Sequence, residues 1–120
     1  INDILIFFVE KIKMAINAGI DQNMIILDPG IGFGKTVQHN FQLLSKLNDF
    51  TELGLPIMIG PSRKSFIGAT LDLPVKDRID GTSATVSAGI MNGARIVRVH
   101  DVKIMKRVVT IIDRIRTATA

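Results

Sequence analysis

Three short apolar runs in this chain each stop abruptly in a cluster of glycine or polar residues. Ile25-Ile26-Leu27 runs into Asp28-Pro29-Gly30-Ile31-Gly32-Phe33-Gly34-Lys35-Thr36. Ile57-Met58-Ile59 runs into Gly60-Pro61-Ser62-Arg63-Lys64-Ser65, and Ile96-Val97-Arg98-Val99 into His100-Asp101. The segments between them carry apolar residues at helical spacing. Continuous apolar strands alternating with helices predict an α/β fold with a parallel sheet covered by helices. In such sheets ligands bind beyond the carboxyl ends of the strands, where these clusters fall.

Leu5, Phe8, Ile12, Ala15 and Ile16 recur at helical spacing and predict a helix over ~3–18. Asn2 or Asp3 is placed to cap its start, and Gly19 to stop it. Ile25–Asp28 is the first strand. A helix over ~37–49 follows, with Thr36 as N-cap and Phe41, Leu44 and Leu47 facing inward. Gly54 and Pro56 mark the turn into a strand at Ile57–Gly60. A long connection then passes through Leu73-Pro74 to Gly81. A helix over ~82–92, rich in small residues, stops at Gly93, and a last strand covers ~95–99. Asp101 is placed to cap a final helix over ~102–116, with Ile104, Met105, Val108, Ile111, Ile112 and Ile115 inward. The order is αβαβαβα, with runs starting 32 and 39 residues apart, the spacing of βα units joined by right-handed crossovers.

The 120 residues suffice for one domain but not for a closed (β/α)8 barrel, which needs about 250. With 47% apolar residues the chain can bury a core. It has no Cys, which excludes a disulfide scaffold, a Cys-ligated zinc site and a catalytic thiol, and fits a cytoplasmic location. The apolar stretch Ile4–Val9 is too short to span a bilayer, so no membrane partner is expected. No charged segment precedes it, as a signal peptide would require. The opening Ile is consistent with excision from a longer domain. A net charge of +4 is compatible with nucleic acid or with a small anionic substrate. Tyr and Trp are absent and the six Phe lie mostly in periodic apolar segments, so platforms for stacking bases are poorly supported and no nucleic-acid partner is expected.

The glycine-rich turn fails both phosphate-loop spacings. Position 29 is Pro where a Walker motif needs Gly, and the G-x-G-x-x-G register is absent. Its small residues either form a sharp strand-to-helix turn or let backbone approach a ligand. Asp28, at a strand end, either caps that turn or accepts paired N–H bonds from an amidine-like group such as an aminopyrimidinone. Ser62-Arg63-Lys64-Ser65 offers two cations and two hydroxyls, suited to carboxylate or phosphate oxygens or to a solvated turn. Strand alternation puts Val97 and Val99 toward the helices, and Ile96, Arg98 and His100 on the opposite face, the upper lumen if the sheet is part of a barrel. An anionic ligand, Asp101 or Asp28 is the expected partner of Arg98. His39, in the first turn of a helix, reads as structural.

Taken together these clusters resemble dihydropteroate synthase of folate biosynthesis. The matching stretches are Asp28–Thr36, Gly60–Gly68, Gly81-Thr82 and Arg98–Val102, in the family's order and spacing, over nearly the whole chain. The resemblance implies a partial (β/α)8 TIM barrel, with residues 1–120 as its C-terminal portion and the three strands as the sixth to eighth. It implies a transferase, the target of sulfonamides, that joins p-aminobenzoate to 6-hydroxymethyl-7,8-dihydropterin diphosphate and releases pyrophosphate. It also implies a homodimer and a Mg²⁺ cofactor whose protein ligand lies outside this chain.

By the same resemblance Asp28 anchors the pterin's amino-pyrimidinone edge and Gly60 lies close against the pterin. Lys64 contacts the ring. Ser62 reaches the p-aminobenzoate carboxylate, in a pocket shaped by Phe33 and Arg63. Arg98 and His100 hold the diphosphate, so Lys64, Arg98 and His100 are the expected catalytic groups. The family's first five strands are missing, and the isolated chain is expected to be inactive, a non-catalytic fragment of the barrel. A small phosphate-ligand-binding α/β domain is the other reading. Pro61 departs from the family pattern and stiffens its loop.

Overall fold

The computed structural model describes residues 1–119. They form a mostly helical α/β arrangement around two short parallel strands. Helix α1 spans Asn2–Asn17, α2 Val37–Ser45, α3 Ser65–Leu71, α4 Ile79–Met91 and α5 Val102–Thr117. Strand β1 is Met58–Ile59 and β2 is Ile96–Val97. Single 3₁₀ segments lie at Gln22–Met24, Leu47–Leu53 and Val75–Asp77. Among the described residues no helix is long and apolar enough to cross a membrane.

Met58 pairs with Ile96 and Ile59 with Val97, both parallel. The expected first strand contracts to one parallel bridge, Leu27 to Ile57. The Leu27 amide donates to the Pro56 carbonyl at 2.9 Å, and the Met58 amide to the Leu27 carbonyl at 2.8 Å. Two local features stop that ladder from growing. The Ile25 amide is already bonded to the Gln22 carbonyl, and Pro29 has no N–H to donate.

Alternation along these rows makes two faces. Leu27, Ile57 and Ile59 are buried beneath the helices in a core with Phe8, Leu43, Leu44, Leu47, Phe50 and Phe66. Val97 joins that core and also a second cluster, where Val99 packs with Val86 and Ile90 of α4 and Met105 of α5. On the opposite face Ile26 is 52% exposed, and Met58 and Ile96 are half-buried.

Helix α4 lies close on β1 because it carries glycine where the two meet. A Cβ on Gly89 would collide with the Cδ1 of Ile59, and one on Gly81 with the Cγ2 of Ile67 in α3. In α5 the inward row is Met105, Val108, Val109 and Ile112. Ile104, Ile111 and Ile115, expected inward, are exposed, Ile111 at 61%. The helix contacts its neighbour along one narrow stripe, and these three fall beside it.

Five further expectations are corrected. Phe41 is exposed, and Leu43 takes the core position beside Leu44, although the Phe41 ring still meets Phe66 edge-on at 5.5 Å. The helix expected over ~37–49 breaks at Lys46 into the 3₁₀ segment. The long connection after β1 contains α3. Neither Asn2 nor Asp3 caps α1, whose N-cap position is Ile1 and which has no side-chain capping bond. Asp101 precedes α5 without a capping bond, because its carboxylate is bonded elsewhere.

Candidate active site

The glycine-rich loop after Leu27 is held in one shape by its neighbours. The Asp28 Oδ1 accepts the Gly30 amide at 2.8 Å. The Gly32 amide donates to the Oδ1 of Asn40 at 2.7 Å, and Asn40, 2% exposed in α2, donates its Nδ2 to the Thr36 carbonyl at 2.9 Å. The Lys35 ammonium donates to the carbonyls of Gly30 at 2.7 Å and Phe33 at 3.1 Å. Thr36 caps α2 as expected, its Oγ1 accepting the His39 amide at 3.1 Å. Asp28 thus performs the turn-capping role, yet its carboxylate is exposed and retains acceptor capacity.

Lys64 reaches this loop from the one after β1. Its Nζ lies 4.2 Å from the centre of the Phe33 ring and donates to the Ile31 carbonyl. Gly32, at φ 88°, makes room for it, since a Cβ there would lie 2.6 Å from the Lys64 Cδ. Burial pushes the Lys64 ammonium below its usual range, and the charges of Arg98 and Lys35 add to that, while Asp28 opposes it. Phe33 is itself 70% exposed, so its far face is open to a ligand.

The loop after β1 is tied to the one after β2 by two adjacent side-chain pairs. Ser62, 6% exposed, places its Oγ 2.7 Å from the Nδ1 of His100 and accepts the His100 amide at 3.1 Å. Arg63 donates through Nη2 and Nε to the Asp101 carboxylate at 2.9 and 3.3 Å. Arg63 adopts a left-handed backbone, φ 58°. Its amide donates to the Oγ1 of Thr82 at 3.1 Å, and its carbonyl accepts from the Arg78 guanidinium at 2.8 Å.

These contacts gather Gly60, Ser62, Lys64, Arg98 and His100 around one cleft of about 90 Å³. Size alone does not locate the chemistry. Concavities of about 390 and 440 Å³ lie along α5, but both are predominantly apolar. Asp28 borders the cleft through its charge interaction with Lys64, and Phe33 through its ring. The loops after β1 and β2 therefore deliver two cations and an imidazole to one rim, with the Asp28 carboxylate acting on Lys64 through its charge. Arg98 is exposed, with no side-chain hydrogen bond among the described residues. Its two expected protein partners are engaged elsewhere, Asp101 with Arg63 and Asp28 with the Gly30 amide.

Arg63 and Ser62 are engaged internally and Lys64 is half-buried against Ile31 and Phe33, which leaves Ser65 as the exposed polar group of their cluster. Of the supporting residues, Asn40 and Arg78 escaped sequence reasoning, and Lys35 and Thr82 stood in the matched stretches without an assigned role. A buried Asn in the second turn of a helix is a weak signal, and the partners of the others depend on how the loops fold. Among the described residues no three His, Asp or Glu side chains gather to hold a metal ion.

Comparison with known proteins identifies the family. Residues 1–100 match the family model described as pterin binding enzyme. Dihydropteroate synthase from Bacillus subtilis is 50% identical over 111 residues, 92% of this chain and 39% of that protein. The Escherichia coli K12 enzyme is 44% identical over 97 residues, 81% of this chain and 34% of its own length. The Yersinia pestis dihydropteroate synthase solved with a sulfonamide drug superposes with a TM-score of 0.96 at 42% identity, over 98% of this chain and 43% of that one. The Xanthomonas albilineans enzyme in complex with 7,8-dihydropteroate gives 0.95 at 35% identity, over 99% of this chain and 46% of the other. The chain spans about two fifths of the curated relatives it matches. With the family's model covering most of its length, this chain belongs to the pterin-binding enzymes.

Proposed function

We propose that this chain is the C-terminal, substrate-contacting part of a dihydropteroate synthase. That enzyme condenses 6-hydroxymethyl-7,8-dihydropterin diphosphate with p-aminobenzoate and releases pyrophosphate. The observation that carries the reading is the convergence of Asp28, Lys64, Arg98 and His100 on one rim. In this reading the two strands and the Leu27 bridge are the seventh, eighth and sixth staves of a (β/α)8 barrel. The relatives' greater length and the open sheet face, with Ile26 exposed, support that placement.

The reaction is substitution at a CH₂ beside an electron-rich ring. An arylamine is neutral at pH 7, so the attack needs no strong base, and the barrier lies in departure of a multiply charged group. Cations fixed where that charge grows lower it. Arg98, whose side chain has no hydrogen-bond partner among the described residues, and His100, lining the same cleft, meet the diphosphate. The Asp28 carboxylate accepts from the pterin's amino-pyrimidinone edge and stabilises positive charge that develops on the ring. Gly60 leaves space for the ring beside Arg98, and Lys64 borders it. Phe33 lines the p-aminobenzoate side. Ser62 and Arg63 serve by holding their loop. No nucleophile–base pair is required.

The rim does not fit Mg²⁺. Its side chains are mostly cationic, and of the two carboxylates beside them Asp101 is bound to Arg63, so no step is assigned to a metal on this chain's residues. The same family reading carries a homodimer and a cytoplasmic location, the latter in keeping with the absence of Cys. It also carries sulfonamide binding, supported by the drug-bound Yersinia pestis structure.

The test replaces the matching segment of the Bacillus subtilis enzyme with this chain. The hybrid is expected to form dihydropteroate. Arg98→Ala in it should weaken pyrophosphate binding by about 1.5–3 kcal/mol, the worth of one charge-assisted contact. A folded hybrid without turnover, or unchanged pyrophosphate affinity in a calorimetric titration, sinks the assignment.

A further inference from the structure

The Ser62–His100 contact fixes more than a loop. The Ser62 hydroxyl has one proton to give and two lone pairs to accept with. One lone pair takes the His100 amide at 3.1 Å. The Nδ1 of the same residue lies 2.7 Å from the oxygen. Two arrangements satisfy that contact. Either the hydroxyl donates to a bare Nδ1, or a protonated Nδ1 donates to the second lone pair. In the second case the hydroxyl proton needs another acceptor, and Ser62 is 6% exposed with no further side-chain contact among the described residues. No buried side-chain polar atom in the described chain lacks a partner. The first arrangement leaves nothing unsatisfied.

We infer that Ser62 is a positioning residue for His100: its hydroxyl donates to Nδ1 and so keeps the proton of the uncharged ring on Nε2. That nitrogen has no partner among the described residues, and His100 lines the cleft shared with Lys64 and Arg98. Nε2 therefore presents an N–H donor toward a ligand oxygen beside two cations, instead of a lone pair that would repel it.

Ser62 itself is held from both sides. Pro61 before it is buried. Arg63 after it is pinned by Thr82, by Arg78 and by its ion pair with Asp101, the residue next to His100. These bonds fix the Ser62 backbone, and turning its side chain would break its own bonds to the His100 amide and Nδ1. The charged groups around the ring are Lys64, Arg98 and the Arg63–Asp101 pair, so the tautomer is set by the Ser62 bond and not by a carboxylate on Nδ1.

The inference rests on the anion-binding reading of the cleft for its consequence, but not for the tautomer. The test is ¹⁵N NMR of the histidine ring nitrogens in this chain, in solution or on sedimented protein, at a pH where the ring is uncharged. Only His39 and His100 contribute, and His100→Gln identifies the signal. Wild type should show Nε2 protonated and Nδ1 as acceptor. Ser62→Ala should move the proton toward Nδ1, and Ser62→Thr, which keeps the hydroxyl, should restore the wild-type pattern. A protonated Nδ1 in wild type overturns the inference even where a variant folds poorly, and so does an unchanged Ser62→Ala spectrum. Titration with inorganic pyrophosphate supplies the second readout. Ser62→Ala should bind several-fold more weakly, and an unchanged affinity overturns the positioning role. If Arg98→Ala leaves pyrophosphate binding intact, the anion-site reading fails by itself, whatever the ring nitrogens show.

Discussion

Lys64 is the side chain whose charge the fold works against. Burial lowers its pKa, so the folded state holds that proton less tightly than the unfolded chain does. The penalty is fully present below the lowered value. It is relieved as pH rises from there toward the ordinary 10.5, so this group makes stability rise with pH in that window. Lys64→Met removes the penalty and should flatten that rise. Melting temperatures of both proteins across pH 8 to 10 check it, and parallel curves count against it. The neutral amine should also appear at lower pH than on solvated lysines. Acetylation followed by mass spectrometry should find Lys64 labelled with a lower pH midpoint than Lys103, which sits exposed on α5. Of these residues, the sequence singled out Lys64 and His100 in the polar clusters that follow apolar runs and Arg98 inside the last run, and their expected roles came from the family resemblance. It could not announce that Arg63 and Ser62 are engaged internally, because that follows from the left-handed turn at Arg63 bringing both against the next loop.

At the scale of elements, small residues set how close the helices come. Gly89 faces the Ile59 side chain, and Gly81 faces Ile67. Gly89→Ala adds a methyl where none fits, a strain of about 1–3 kcal/mol against a helix-propensity gain of about 1 kcal/mol. The net expectation is a loss of stability, with α4 pushed from β1. Chemical denaturation reads it as a lower midpoint at unchanged slope, and a stabilised variant would show that the contact is loose. Helices were legible where apolar periodicity was long: α1, α4 and α5 lie within a few residues of expectation. Helix α3 was not, because its seven residues begin inside the polar cluster and are too few to show a period. The runs around Ile25, Ile57 and Ile96 marked the sheet rows correctly. Their paired lengths were overestimated, since ladders need a free amide on both partners and Pro29 withholds one.

For the whole molecule the decisive fact is an uncovered sheet face. The helices bury Leu27, Ile57, Ile59 and Val97 from one side, and nothing described here covers Ile26, Met58 and Ile96 on the other. The rows also have two unpaired flanks, one at Leu27 and one at β2, because β1 lies between them. Exposed apolar surface beside unpaired strand edges is a template for association. The net charge of +4 is too small to prevent it at physiological ionic strength, where charges more than about 8 Å apart are screened. This chain in isolation is therefore expected to self-associate as concentration rises and to form no dihydropteroate. The groups proposed to meet the pterin and the diphosphate lie on a face open to water, where charge interactions are weak. Sedimentation velocity across a concentration series, with a dihydropteroate assay on the same sample, decides the matter. A monomer that melts sharply and turns over substrate would mean that the rim suffices without a closed barrel around it.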